Sequence, residues 1–259
     1  MLNRFLVALS FLTIFPIKLK NINEKDILNS VIVFPFIGFL DGIITLFLVL
    51  ILKQIFSPMV ISLLLILTIY ALRGIFHMDG LSDTFDALFY KGSGEKDRDI
   101  HKRLEIMKDS TVGVAGVFAL IINILCKFVF IKEIIELNKF AIFLLVFTFS
   151  RWAIVPLMYY GKPAKNIGLG AIFIGKINLQ QFIVSAILPV FLLIYFTFKN
   201  FPFLPLIVFL LLILLFMLKR VFEEKFGGLT GDHLGATVEI TEVAFLFCFL
   251  FFEKLWLNF

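Results

Sequence analysis

The sequence predicts an all-α fold: a polytopic transmembrane helix bundle of about seven spans, preceded by a short N-terminal interfacial helix. Three observations carry this. Of 259 residues, 61% are hydrophobic, 35 are Phe and only 17% are charged, with a mean hydropathy of +1.03; soluble domains carry roughly 25% charged residues. Apolar runs recur at the length of about 20 residues that a helix needs to cross a bilayer. No Ser/Gly-rich or Pro-rich linker separates these runs, so residues 1–259 read as a single integral membrane domain.

The start, MLNRFLVALSFLTIFPIKLK, has the Arg and the apolar stretch of a signal peptide. Pro16 and two lysines follow that stretch with no small-x-small cleavage site, which favours a retained short helix, interfacial or half-inserted. Spans are expected near 31–52, 59–76, 112–131, 140–160, 178–198, 202–218 and 236–256, with a tight turn at Asn200-Phe201-Pro202 between the fifth and sixth. Cys126 and Cys248 both lie in apolar runs, and neither spacing nor neighbours suggest a disulfide or a metal.

Charge orients the bundle. Sixteen lysines and arginines fall at the N-terminus and in the loops after the second, fourth and sixth spans, against six at the other ends, where Lys53, Lys127, Lys132, Lys139, Lys199 and Lys254 are counted. By the positive-inside rule the first set faces the cytoplasm. The net charge of +5 is then a topology signal and calls for no nucleic acid.

Two acidic segments lie on that same side. In HMDGLSDTFDAL (77–88), Asp79, Asp83 and Asp86 are spaced i, i+4, i+7 and share one helix face. Such a stripe repels itself unless it is solvated or neutralised, and a few carboxylates suit Mg²⁺, which keeps water and substrate phosphate oxygens as its other ligands. The bland reading is a solvated helix end outside the membrane. Gly80 permits close approach of a substrate or of a neighbouring helix. His77 is a lesser candidate, since one flanking histidine is more often interfacial.

In GGLTGDHLGATVEITE (227–242), Gly227, Gly228, Gly231 and Gly235 suit a loop that presents N–H groups to phosphate, and Thr230 and Asp232 stand where a helix is capped. From Asp232, Glu239 lies about 10 Å and Glu242 about 15 Å along such a helix. Acids at that depth are functional by default, the alternative being a pair with Arg151 in the fourth span. RLEIMKDSTVG (103–113) adds Arg103 and Lys108 for phosphate contacts, with Asp109 beside them. KNIGLGAIF (165–173) reads as a turn and KGSGEKDRDIHKR (91–103) as a solvated loop, with a lid as the lesser alternative. Asp41 is a further buried acid, kept outside the main site as a helix–helix partner. No HExxH, GxSxG or Walker A pattern is present.

Taken together, these segments resemble the cobalamin synthase family, the membrane-bound adenosylcobinamide-GDP ribazoletransferases. The resemblance is carried by FLTIFPIK, FPFIG (34–38), HMDGLSDTFDAL, RLEIMKDSTVGVAG, SRW (150–152), GLG (168–170) and GGLTGDHLGATVEITE, in the family's order and over most of the chain. Ser82 and Ala87 replace the family's Ala and Gly, and both are small. The resemblance implies that the 5′-hydroxyl of α-ribazole, or of its 5′-phosphate, attacks the cobinamide-side phosphorus of adenosylcobinamide-GDP. GMP leaves, with Mg²⁺ required, at a cytoplasm-facing site of a prokaryotic cell membrane. Asp79, Asp83, Asp86, Asp232 and Glu239 are then expected at the metal. Arg103, Lys108, Arg151, Gly228, Thr230 and Gly231 are expected at substrate phosphates. Asp83, Asp86 and Glu239 are the catalytic carboxylates, with Asp86 or Glu239 taking the hydroxyl proton. The lipid bilayer is the surrounding partner, and an oligomer is compatible with this scheme.

Two other classes use similar elements. Membrane phosphotransferases of the CDP-alcohol type and prenyltransferases also carry paired acidic motifs, but Thr84-Phe85 stand where the CDP-alcohol pattern has Ala-Arg. An ion-coupled transporter explains buried Asp41, Arg151, Glu239 and Glu242 but leaves the Gly-rich loops and the aspartate stripe without a use.

Overall fold

Helices α1 (Leu2–Leu12) and α2 (Glu24–Asn29) precede α3 (Phe34–Leu52), which a 3₁₀ turn joins to α2, and α4 (Pro58–Arg73) follows. They belong to a computed structural model that describes residues 2–17, 23–165 and 168–257. Lys18 and Lys20 of the charge bias, and Asn166 and Ile167 of the Gly-bearing loop, lie outside the described residues. The chain continues through α5 (Phe76–Leu88), α6 (Lys96–Ile106), α7 (Val114–Glu136), α8 (Phe143–Tyr160), α9 (Leu169–Phe173), α10 (Leu179–Lys199), α11 (Leu204–Phe226) and α12 (Gly231–Leu257). Among the described residues there is no strand, so the all-α expectation holds.

Six of these segments are long and apolar enough to cross a membrane: the run 24–52, α7, α8, α10, α11 and α12. The seventh expected span is α4, shorter than the rest, after which the chain bends by 94° into α5. Gly74 makes that corner with φ +73, a conformation that side chains with a Cβ rarely adopt. Helix α5 therefore lies across the direction of α4 instead of prolonging the span. Proline opens α3, α4 and α11, where a missing N–H costs nothing. A capping box between Asn178 and Gln181 opens α10, and Asn200–Phe203 forms the expected turn into α11.

Helix α8 is the central post. Both faces of its middle are buried, from Leu145 to Met158. Its backbone approaches α3 closely because Gly38 and Gly42 leave no Cβ against Phe147 and Leu144. Large apolar side chains such as Phe47, Leu67, Phe118, Phe191 and Phe216 point outward, as a lipid-facing belt does. The charged segment 91–103, expected as a loop, is half helical. Asp97 and Asp99 occupy the first turn of α6, and Asp99 accepts hydrogen bonds from the Ser93 N–H and hydroxyl. Those bonds tie the loop before α6 to its first turn, where acidic side chains also complement the helix dipole, overriding a reading from polarity alone.

Candidate active site

The two acidic segments meet because of one glycine. Gly80 on α5 lies against the backbone of Asp232 at the start of α12, where a Cβ would come within 2.6 Å of the Asp232 carbonyl oxygen. Gly235 receives the backbone of His77 one turn further on. Crossing at this point, α5 and α12 set Asp79 and Asp232 on the wall of one cleft of about 760 Å³.

A second local device brings cations to the same cleft. Residues 162–164 pair with Leu229 in a short parallel bridge, with the Ala164 N–H donating to the Leu229 carbonyl at 2.9 Å and the Leu229 N–H to the Lys162 carbonyl at 2.8 Å. Gly228 has no room for a Cβ against Lys162 and Ala164. That close approach is what the bridge requires of it. The bridge delivers Lys165 to the cleft, where Lys108 also projects, and both stand with Thr230 and Gly231 at the α12 N-terminus. Burial and the neighbouring Lys108 lower the pKa of Lys165. Two adjacent cations and a helix N-terminus make an anion-attracting corner.

The carboxylates at the α5–α12 crossing differ from the acids buried within the spans, Asp41, Glu239 and Glu242, which are all ion-paired. Among the described residues, Asp79, Asp83 and Asp232 form no ion pair. Asp83 lies one turn along α5 from Asp79; burial and the carboxylates of Asp79, Asp232 and Asp86 push its pKa up to about 7. Three unpaired acids within each other's field fit a cation. No three His, Cys, Asp or Glu side chains converge as a ready cage among the described residues. A partial set of this kind could hold an ion such as Mg²⁺, which takes one or two carboxylates and leaves its other positions to water and substrate oxygens.

The other expected members lie elsewhere. Asp86 points into the start of α7, where it accepts the N–H groups of Gly113 at 2.7 Å and Gly116 at 2.8 Å. The absence of side chains at both glycines is what admits it. Arg103 is buried beneath the loop before α6, donating to the Tyr90 carbonyl at 3.2 Å. Asp109 caps a turn by accepting from Thr111.

Glu239 and Arg151 belong to a separate cluster deep in the bundle. Lys127 donates to Glu239 and to Glu242, each at 2.6 Å, and Tyr70 donates to Glu239 at 2.9 Å. Arg73 bridges Asp41 at 2.8 Å and Glu242 at 2.7 Å, while Arg151 reaches Glu242 at 3.2 Å and Asp41 at 3.5 Å. Three acids and three bases thus join α3, α4, α7, α8 and α12 in a charge-balanced knot. The structure does not bring Glu239 or Arg151 to the cleft. The pair foreseen as an alternative for the α12 acids is present, with Glu242 as the partner of Arg151. Lys127, counted above with the far side, is instead buried inside α7.

Sequence reasoning missed Lys165, Arg73 and Lys127. The last two carried a signal, each being a lone base within an apolar run where an unpaired charge is costly. Lys165 carried none, since only the bridge to Leu229 places it.

The chain matches the family model described as cobalamin-5-phosphate synthase over residues 4–250. It is 62% identical over 260 residues to an adenosylcobinamide-GDP ribazoletransferase of Thermodesulfovibrio yellowstonii, covering 100% of both chains. It is 36% identical to one of Clostridium tetani over 251 residues, covering 95% of each chain, and 31% identical to one of Clostridioides difficile over 253 residues, covering 95% of this chain and 96% of the relative. No solved structure matches.

Proposed function

The chain belongs to the cobalamin-5-phosphate synthase family, and from that premise we propose that it is an adenosylcobinamide-GDP ribazoletransferase acting in the last steps of cobalamin synthesis. The observation that carries this reading is the cleft in which Asp79 and Asp232 stand with Lys108, Lys165 and the N-terminus of α12. Transfer between phosphate esters needs charge neutralisation and positioning above all.

The 5′-hydroxyl oxygen of α-ribazole, or of its 5′-phosphate, forms a bond to the cobinamide-side phosphorus. The bond from that phosphorus to the bridging oxygen breaks, and GMP departs with the electron pair. Lys108 and Lys165 hold the departing phosphate, assisted by the α12 N-terminus at Thr230 and Gly231. Asp79 and Asp232, which line the cleft, are the residues that would hold Mg²⁺, which would neutralise phosphate charge when bound. Asp83 takes the hydroxyl proton: it stands one turn along α5 from Asp79, and among the described residues no ion pair engages its carboxylate. This replaces the expectation for Asp86 and Glu239, whose carboxylates are already engaged by N–H groups and by Lys127.

The excess of lysine and arginine at the N-terminus and after the second, fourth and sixth spans supports a cleft that opens to the cytoplasm. The test is purified protein with adenosylcobinamide-GDP, α-ribazole and Mg²⁺: GMP and a cobalamin product are expected in equal amounts. Absence of both, where an active relative produces them, contradicts the reading.

A further inference from the structure

The cleft has two chemically different ends. One is the acid and lysine corner described above. At the other, Phe11 of α1 and Phe173 of α9 form an aromatic wall, with the buried Ile154 of α8 beside it. The two rings meet edge to face at 5.2 Å. Phe34 braces them from behind, stacked on Phe11 at 5.6 Å and edge-on to Phe173 at 5.9 Å. Phe34 and Phe173 are buried, so the wall is set before any ligand arrives. Ser10, beside Phe11 in α1, also lines the cleft, and its hydroxyl is spent on the Val7 carbonyl at 2.9 Å.

Helix α9 joins the two ends. Gly170 packs on Gly231, immediately before Asp232. Phe173 follows one turn later on the same helix, and Phe11 packs on it, so the aromatic side chains adjoin the acid corner. We propose that the half-buried Phe11, held in place by Phe34 and Phe173, is the seat of the acceptor's flat aromatic base, so that the benzimidazole lies on its ring while the 5′-oxygen reaches the carboxylates. This rests on the ribazoletransferase reading and adds which end of the cleft takes which substrate. A pre-set apolar wall without free donors suits a flat heterocycle that is recognised by stacking. It does not suit a bulky macrocycle fringed with amides, whose donors and acceptors would go unmet there.

The experiment measures apparent KM separately for α-ribazole and for adenosylcobinamide-GDP, together with the Kd of α-ribazole for detergent-solubilised protein without donor. Phe11→Leu is expected to raise KM and Kd for α-ribazole about ten-fold, the loss that follows removal of one stacking contact; Phe173→Leu, which removes the support of Phe11, is expected to raise both in the same direction, and each to leave the donor KM unchanged. A rise in the donor KM alone, an equal rise in both, or an unchanged Kd for α-ribazole overturns the assignment. If Phe173→Leu fails to fold, the half-buried Phe11→Leu decides the matter by itself. Wild-type protein that neither binds α-ribazole nor turns over overturns the ribazoletransferase reading, and this inference falls with it. Wild-type turnover with insensitive Phe variants overturns this inference alone.

Discussion

Gly80 and Asp232 are in backbone contact: a Cβ on Gly80 would stand 2.6 Å from the Asp232 carbonyl oxygen and 2.9 Å from its Cα. The whole site hangs on this crossing, because it alone converts two acidic segments about 150 residues apart in the sequence into one wall.

Gly80→Ala is therefore expected to push α5 away from α12. The obstacle is main chain and cannot rotate aside, so the strain is of the overpacking kind, about 1–3 kcal/mol. Thermal unfolding in detergent should show the lower stability, and turnover should fall by at least about ten-fold because the carboxylates separate. A Gly80→Ala protein with normal rate and stability contradicts the described crossing.

The buried cluster and the cleft predict opposite phenotypes. Glu242→Gln leaves Arg73, Lys127 and Arg151 short of one buried negative charge, a change that typically costs about 3–5 kcal/mol. Asp83→Asn removes a carboxylate that only repels its neighbours, so the metal-free protein keeps its stability while its activity is lost. Unfolding midpoints and turnover measured on both variants separate the two roles.

Much of this was legible in the sequence, and the failures have physical reasons. Six of the seven expected spans, the N-terminal helix and the helical spacing of Asp79, Asp83 and Asp86 all follow from apolar periodicity, which is local. The fate of each carboxylate is not local. Asp86 and Asp83 share one stripe three residues apart, yet Asp86 turns into Gly113 and Gly116 of α7 while Asp83 stays unpaired. The depth of Glu239 in the membrane marks it in the sequence as a site residue. Depth alone does not distinguish a ligand from an acid matched by Lys127, a partner 112 residues away.

The pH dependence of stability carries the same distinction. The folded-state pKa of Asp83, about 7, lies above the ordinary 3.8. Between about pH 4 and pH 7 the folded protein holds a proton there that the unfolded chain has released, so this group makes stability fall as pH rises through that window. Asp83→Asn lacks the effect. In metal-free buffer, the unfolding midpoint of the variant should gain on wild type from pH 5 to pH 8. A constant difference means that Asp83 is not in the field of its neighbours.

Asp86→Ala tests the cap on α7. Losing a side chain that satisfies two helix-terminal N–H groups is expected to lower stability by about 1–2 kcal/mol. A variant as stable as wild type in denaturant titration contradicts the capping role.

The central claim is that phosphotransfer runs on the acids of the α5–α12 crossing and not on those of the buried cluster. It is tested most directly by GMP release at saturating Mg²⁺, adenosylcobinamide-GDP and α-ribazole, measured for Asp83→Asn, Asp232→Asn and Glu239→Gln and normalised to folded protein. The account predicts a fall of at least about 100-fold for the two aspartate variants and a near-normal rate per folded molecule for Glu239→Gln. Near-normal rates for Asp83→Asn and Asp232→Asn, with Glu239→Gln folded but inactive, would place the chemistry in the buried cluster and contradict it.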